Sequence, residues 1–299
     1  MLPGGNMRIT ESMITKSLLS SINQNRASMH SIQESITTGK EVRHSSDDPI
    51  QFFRANRFRQ GIKQNEQYLE NIQNANSWLQ ATYSNLDSML SHVMTLRERA
   101  VQGANDTFSP ENRLQMASDI DHMLEDLVNI ANESFLDKNL FSGTKTKIGS
   151  PFLFDGDSVD YQGNTGKMNR RISENLTINI NVTGQDLLDT DIFNAALSLR
   201  TALENDDTNE IENMIESIDL ASEKLISLNT GIGSIQQQLD LAENRLETAN
   251  LNLATFLSDT EDVDLASAIT QYNSEELAYQ AALQSTANIL RLNIMNFLK

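Results

Sequence analysis

The chain has 299 residues, a formal net charge of −18, 38% hydrophobic and 6% aromatic residues, and no cysteine. The acidic balance opposes binding to nucleic acid, which relies on basic patches and counterion release, and opposes an anionic membrane surface. Lack of cysteine removes disulfides, thiolate metal sites and thiol nucleophiles, while 4 Pro and 13 Gly leave few helix breakers, so slender helical packing is favoured over a spherical core.

Met1–Asn6 is Gly/Pro-rich and unlike the rest of the chain, which makes Met7 the expected natural start. The opening segment lacks the apolar core of a secretory signal, and no run approaches the ~20 apolar residues of a membrane helix. From about Thr10 to Ile36, Ile14, Leu18, Ile22, Met29, Ile32 and Ile36 keep helical spacing, with polar Asn25 in the seam. Gly39 reads as a C-terminal stop, and His44–Pro49 reads as a loop whose Asp and Ser groups cap the next helix. That helix runs from near Ile50 to Gly103. Its stripe is Tyr68, Ile72, Ala75, Leu79, Thr82, Leu86, Met89, Val93, Leu96 and Ala100, a 3-4 spacing that another helix must cover.

After a break at Asn105–Thr107, Ser109 with Pro110 predicts a capped helix start, and Met116, Ile120, Met123, Leu127 and Ile130 define one face up to about Ser134. From Lys138 the pattern becomes Gly-rich and alternating. Val159 with Tyr161, then Met168, Arg170 and Ile172, then Leu176, Ile178, Ile180 and Val182 predict an antiparallel β unit of at least three strands. Gly163–Gly166 supplies hairpin chemistry between the first two. Thr190–Asp191 is expected to cap a short helix through Leu203. A long helix then runs to Leu257, with Ile211, Ile215, Ile218, Ser222, Leu225, Leu228, Ile232, Ile235, Leu239, Ala242, Leu246, Ala249, Leu253 and Phe256 in its stripe. Ser258–Asp262 reads as a loop before the last helix.

The layout is nested, with helices outside and β inside. It predicts a mainly α fold: an elongated rod of long antiparallel helices in a coiled-coil bundle, with a small antiparallel β domain inserted at the tip. Three bodies are expected: a terminal helical coiled-coil domain of 1–45 and 262–299, an α-helical rod bundle of 46–138 and 204–261, and an inserted small β domain with a short helix over 139–203.

Catalytic chemistry finds no foothold. His30, His44, His92 and His122 sit in different elements without metal-ligand spacing, and their expected role is polar surface or loop. Asp47–Asp48 before Pro49 reads as a cap rather than an acid/base pair. Asp155, Asp157 and Asp160 lack the calcium-loop pattern, and Gly231–Ile232–Gly233 reads as a bend or close-packing point in a helix rather than a phosphate cradle. No catalytic, cofactor or metal site is expected, and no enzymatic activity. The terminal stripes point instead to assembly. In Ala281, Ala282, Leu283, Ile289, Leu292 and Ile294 the apolar residues exceed one seam, so burial against other chains is expected. The residues expected to carry it are Leu18, Ile22, Met29, Ile32 and Ile36 in the first helix. In the last helix they are Leu265, Ile269, Tyr272, Tyr279, Leu283, Leu290, Ile294 and Phe297.

Several short blocks in order carry a resemblance. Met7–Thr10, Thr38–Val42 with Ser46–Pro49, Ala100–Asn105, Phe141–Thr146 with Pro151–Phe152, and Asp262–Ala266 with the closing Ala278–Leu298 helix are similar to the flagellar hook-filament junction family, the third hook-associated proteins, which are related to flagellin. His44 and the final Lys299 depart mildly from the family pattern. The resemblance implies a flagellin-like, non-catalytic structural protein without cofactors. It implies export by the flagellar type III apparatus without a cleaved signal peptide, to an extracellular place in the flagellum. The implied partners are the first hook-associated protein, flagellin, further copies of itself in a ring, and an export chaperone on the C-terminal helix; nucleic acid and membrane are not among them. The terminal helices are expected to be poorly ordered in the free monomer and to order on assembly. The alternatives are flagellin itself and a needle-tip or translocator protein of a related secretion system.

Overall fold

In a computed structural model the described residues are 11–297, with side-chain surroundings known up to residue 288. Expectations for Met7 and for the side chains of Ile14, Ile289, Leu290, Leu292, Ile294 and Phe297 lie outside the described residues. The chain is mainly helical: α1 (Glu11–Thr38), α2 (Pro49–Gly103), α3 (Pro110–Ala131), α4 (Gly184–Leu188), α5 (Ile192–Glu204), α6 (Thr208–Glu261) and α7 (Leu265–Phe297). It divides into two units, 63–250 and the joined ends 1–62 with 251–299. α2 and α6 contribute residues to both.

The 63–250 unit holds the hydrophobic core. All ten residues of the α2 stripe from Tyr68 to Ala100 are buried, and Ile211, Ile218, Leu225, Ile232, Leu239 and Leu246 of α6 are buried with them. Arg97 with Asp219, Gln80 with Gln236 and Asn65 with Asn250 tie the two helices along their length. α3 packs on α5. Ser109 accepts from the Asn112 N–H with Pro110 at the first helical position, so the start of α3 is as the residues predict. Arg113 is buried at the α2–α3 turn, where its guanidinium donates to the carbonyls of Gly103 (2.8 Å) and Asn105 (3.0 Å) and pairs with Asp206.

The β region differs from expectation. It is three separate two-stranded antiparallel ladders: β1 (Ser134–Phe135) with β2 (Lys138–Asn139), β3 (Phe152–Phe154) with β4 (Val159–Tyr161), and β5 (Asn169–Arg171) with β6 (Thr177–Asn179). β4 and β5 do not pair, so Gly163–Gly166 is no hairpin turn. That segment docks sideways instead. The Asn164 N–H donates to Ser142 O (3.2 Å) and its side-chain oxygen accepts from Thr144 N (2.8 Å) and Gly166 N (3.1 Å). Gly143 permits the approach, since a Cβ there would lie 2.0 Å from the Asn164 carbonyl oxygen. Asp155 makes the β3–β4 turn, accepting from the N–H groups of Ser158 (2.7 Å) and Asp157 (3.0 Å), which hold its carboxyl below the usual range. Asn132, ending α3, exchanges two 2.8 Å hydrogen bonds with the Phe152 backbone and so couples helix to ladder.

Three helical expectations also need correction. Asp191 does not cap α5: it sits at φ 63 with no side-chain cap bond, and its carboxylate meets Lys224 at 3.2 Å, while Thr190 Oγ1 accepts from Ile192 N. The expected loop at Ser258–Asp262 is the last turn of α6, which ends at Glu261; Ser258 donates to the Asp262 carboxylate (2.6 Å) along that turn. Gly231 and Gly233 have no atom within 4 Å of a would-be Cβ, so neither is a close-packing point. Gly103, at the end of α2, is closely packed instead: a Cβ there would lie 2.6 Å from a Leu203 methyl. Gly103→Val is expected to destabilise the 63–250 unit by about 1–3 kcal/mol through overpacking, measured as a urea midpoint shift.

Candidate assembly surface

In the 1–62/251–299 unit, the loop after α1 and the α6–α7 junction are tied by one buried acid. Gly39 at φ 73 ends α1, as expected for a left-handed stop. Lys40 then bridges Asp262; Glu41 N donates to Glu261 O (2.7 Å), and Val263 N donates to Gly39 O (3.0 Å). The Glu261 side chain is 4% exposed, receives Lys40 Nζ at 2.5 Å and pairs with the Arg59 guanidinium. This three-residue latch fixes where α1 leaves and α7 enters.

The expected caps are present in the intervening loop. Asp48 accepts from Ile50 N (2.9 Å) and Gln51 N (3.0 Å), starting α2. Asp47 accepts from His44 N (2.9 Å) and Arg43 N (3.1 Å), and those bonds hold its carboxyl below the usual carboxylate range. A depressed carboxyl stabilises the loop above its unfolded pKa near 3.8 and loses that contribution as pH falls through the lower folded value. Loop order in the wild type, read from the His44 amide, is therefore expected to fade on acidification below that pH. In Asp47→Asn it should be weak throughout, with no such step.

α1 and α7 pack on each other. On α1 the half-buried positions are Leu18, Ile22, Asn25, Ser28, Met29, Ile32, Ser35 and Ile36, which include the expected seam. On α7 they are Tyr272, Glu275, Glu276, Tyr279, Ala282 and Thr286, with Ala268 buried. The expected α7 set is thus split. Tyr272 and Tyr279 lie in the seam, whereas Leu265, Ile269 and Leu283 are exposed, together with Leu277 at 71%. The physical reason is that α7 carries two overlapping apolar stripes, and the stripe with small residues and tyrosines is the one packed on α1.

Exposed apolar residues continue beyond the terminal helices. Ile50 (72% exposed) and Phe53 (64%) come directly after the Asp48 cap, and Leu251 and Phe256 are exposed on α6, where Phe256 meets Phe58 at 5.8 Å between ring centroids. The α6 stripe predicts a buried Phe256, but burial along that stripe fades past Leu246. The Ile50–Phe53 pair and the Glu261 latch are features the periodicity does not single out. The signal for the first is two large apolar residues directly after a cap; the second has none, because its partners are 202 and 221 residues from Glu261.

His30, His44 and His122 are exposed and His92 is half-buried, and no group of three or more potential metal ligands exists among the described residues. No described helix is long and apolar enough to cross a membrane. What the arrangement offers is surface: large apolar side chains on elements whose own unit does not cover them.

Two family models match the chain, the bacterial flagellin N-terminal helical region over residues 9–146 and the C-terminal helical region over 215–298. Among similar proteins is the flagellar hook-associated protein 3 of Salmonella typhimurium, 24% identical over 96% of this chain and 98% of the relative. The flagellar filament 30.7 kDa core protein of Treponema maltophilum is 25% identical over 89% and 90%. The flagellar junction protein FlgL of Legionella pneumophila, a solved structure, shares the fold with a TM-score of 0.59 at 16% identity, covering 71% of this chain and 100% of that one. With both helical regions of flagellin matched, one at each end of the sequence, the chain belongs to the flagellin family.

Proposed function

We propose that the protein is a structural joint of the bacterial flagellum, seated between hook and filament and working through packing of its terminal helices. One observation carries the assembly reading. In the 1–62/251–299 unit the buried hydrophobic side chains among the described residues are Val42, Ala55 and Ala268, while Ile50, Phe53, Leu251, Phe256, Leu265, Ile269, Leu277 and Leu283 stand exposed. Exposed apolar area on this scale is a mark of surfaces that other chains cover. The place in the flagellum is supported by the near full-length likeness to a hook-associated protein 3.

In this reading the unit meets the first hook-associated protein on one side, flagellin on the other, and neighbouring copies around a ring. Leu18, Ile22, Met29, Ile32 and Ile36 hold the α1 side of the pair, and Leu265, Ile269 and Leu283 face neighbours. An export chaperone covers the α7 face during type III export, and the protein works outside the cell. The role is structural, without catalysis.

A deletion strain tests the reading. Intact hooks, no attached filaments and flagellin shed into the medium are expected, with attachment restored by the wild-type gene. Normal filaments in that strain would contradict it. Likeness to a filament core protein supports a second reading as flagellin itself; purified monomer polymerising alone into long filaments would favour that one.

A further inference from the structure

A cleft of about 410 Å³ opens in the 63–250 unit, walled by α2, the β1–β2 turn and β5. Its lining sorts into three chemistries. Lys138 and Arg170 bring two cations to it, and neither has an ion-pair partner among the described residues, in a chain whose net charge is −18. Asn74 adds an amide that donates and accepts, and Ser77 a hydroxyl that gives its proton to the Gln73 carbonyl (3.0 Å) and so accepts from a ligand. Phe135 and Leu136 supply an apolar wall, with Leu136 held outward at φ 51 in the β1–β2 turn. Beneath them lies Trp78, 5% exposed, edge-on to Phe135 at 6.3 Å, with an indole N–H that has no hydrogen-bond partner. A buried unpaired donor is unusual and is relieved by any acceptor that reaches it.

We propose that this cleft binds an acidic sugar of the uronate class. The carboxylate meets Arg170 and Lys138, the hydroxyls meet Asn74 and Ser77, and the C–H face of the ring lies on Phe135 and Leu136. The volume falls within the range of small-molecule sites, ~300–1,000 Å³, and the mixture of an apolar wall with a few polar groups is their usual composition. A bare anion would leave the apolar wall unused, and a neutral sugar would leave two cations unpaired. The site lies within the 63–250 unit and does not depend on the junction reading.

Trp78 is the single tryptophan, so its fluorescence reports on this cleft alone. Full-length protein is titrated with D-glucuronate, D-glucose and inorganic phosphate at constant ionic strength. Glucuronate is expected to give a saturable change with a Kd of about 1 mM, at least tenfold tighter than glucose or phosphate. Arg170→Gln and Lys138→Gln should each weaken it about tenfold or more while circular dichroism and melting stay as in wild type. No saturable change with glucuronate, an equal response to phosphate, or unaltered binding in both variants would overturn the proposal.

Discussion

Stripping both cations from Glu261, as in Lys40→Met with Arg59→Met, is expected to destabilise the latch more than removing the acid itself. The Glu261 carboxylate is 4% exposed, whereas Lys40 and Arg59 are 41% and 37% exposed. Without them a charge stays buried and unpaired, which costs about 3–5 kcal/mol. Glu261→Gln leaves two cations that turn toward water and a side chain of the same shape, so the expected loss is only about 1–2 kcal/mol. Hydrogen exchange at the Glu41 and Val263 amides, which bond across this junction, reads the difference locally. A double variant milder than Glu261→Gln would show that the cations, not the acid, carry the desolvation penalty.

Leu277→Asp and Leu283→Asp are expected to abolish filament attachment while leaving the monomer as stable as wild type, within about 0.5 kcal/mol. Leu277 is 71% and Leu283 44% exposed in the free chain, so the substitutions remove little packing in it. In an assembled state each would place a carboxylate in an apolar contact between chains, where a desolvated charge is not tolerated. Thermal melting paired with complementation of the deletion strain separates the two effects. Normal attachment with either variant would show that this face of α7 stays in solvent, and a collapsed melting temperature would mean it is buried within the monomer.

Where a long stripe is covered by its own unit, the sequence is an accurate guide. The α2 stripe from Tyr68 to Ala100 is buried at every position, and the Ser109–Pro110 start of α3 and the Asp48 cap of α2 form as their chemistry requires. Alternation misleads in the β region. Its strands are two or three residues long, and side-chain bonds of Asn164, Asn132 and Asp155 decide which segments meet. Such bonds leave no period to read. Ser258–Asp262 resembles a loop because its residues favour caps, yet the buried Glu261 holds the turn helical. On α7, periodicity locates two faces without saying which meets α1, since that depends on a helix far away in sequence. The turn at Leu136–Asp137, with both residues at positive φ, carries none of the glycine or asparagine that normally marks such a bend.

In the proposed joint, the apolar surface of the terminal helices is covered only in the assembly. Hydrogen exchange compares free monomer with protein assembled at isolated hook ends. For α1 (Glu11–Thr38) and α7 (Leu265–Phe297) the expected result is rapid exchange in the monomer and strong protection in the assembly, with the 63–250 core protected in both. Strong protection of α1 and α7 in the free monomer, unchanged on assembly, would contradict the claim.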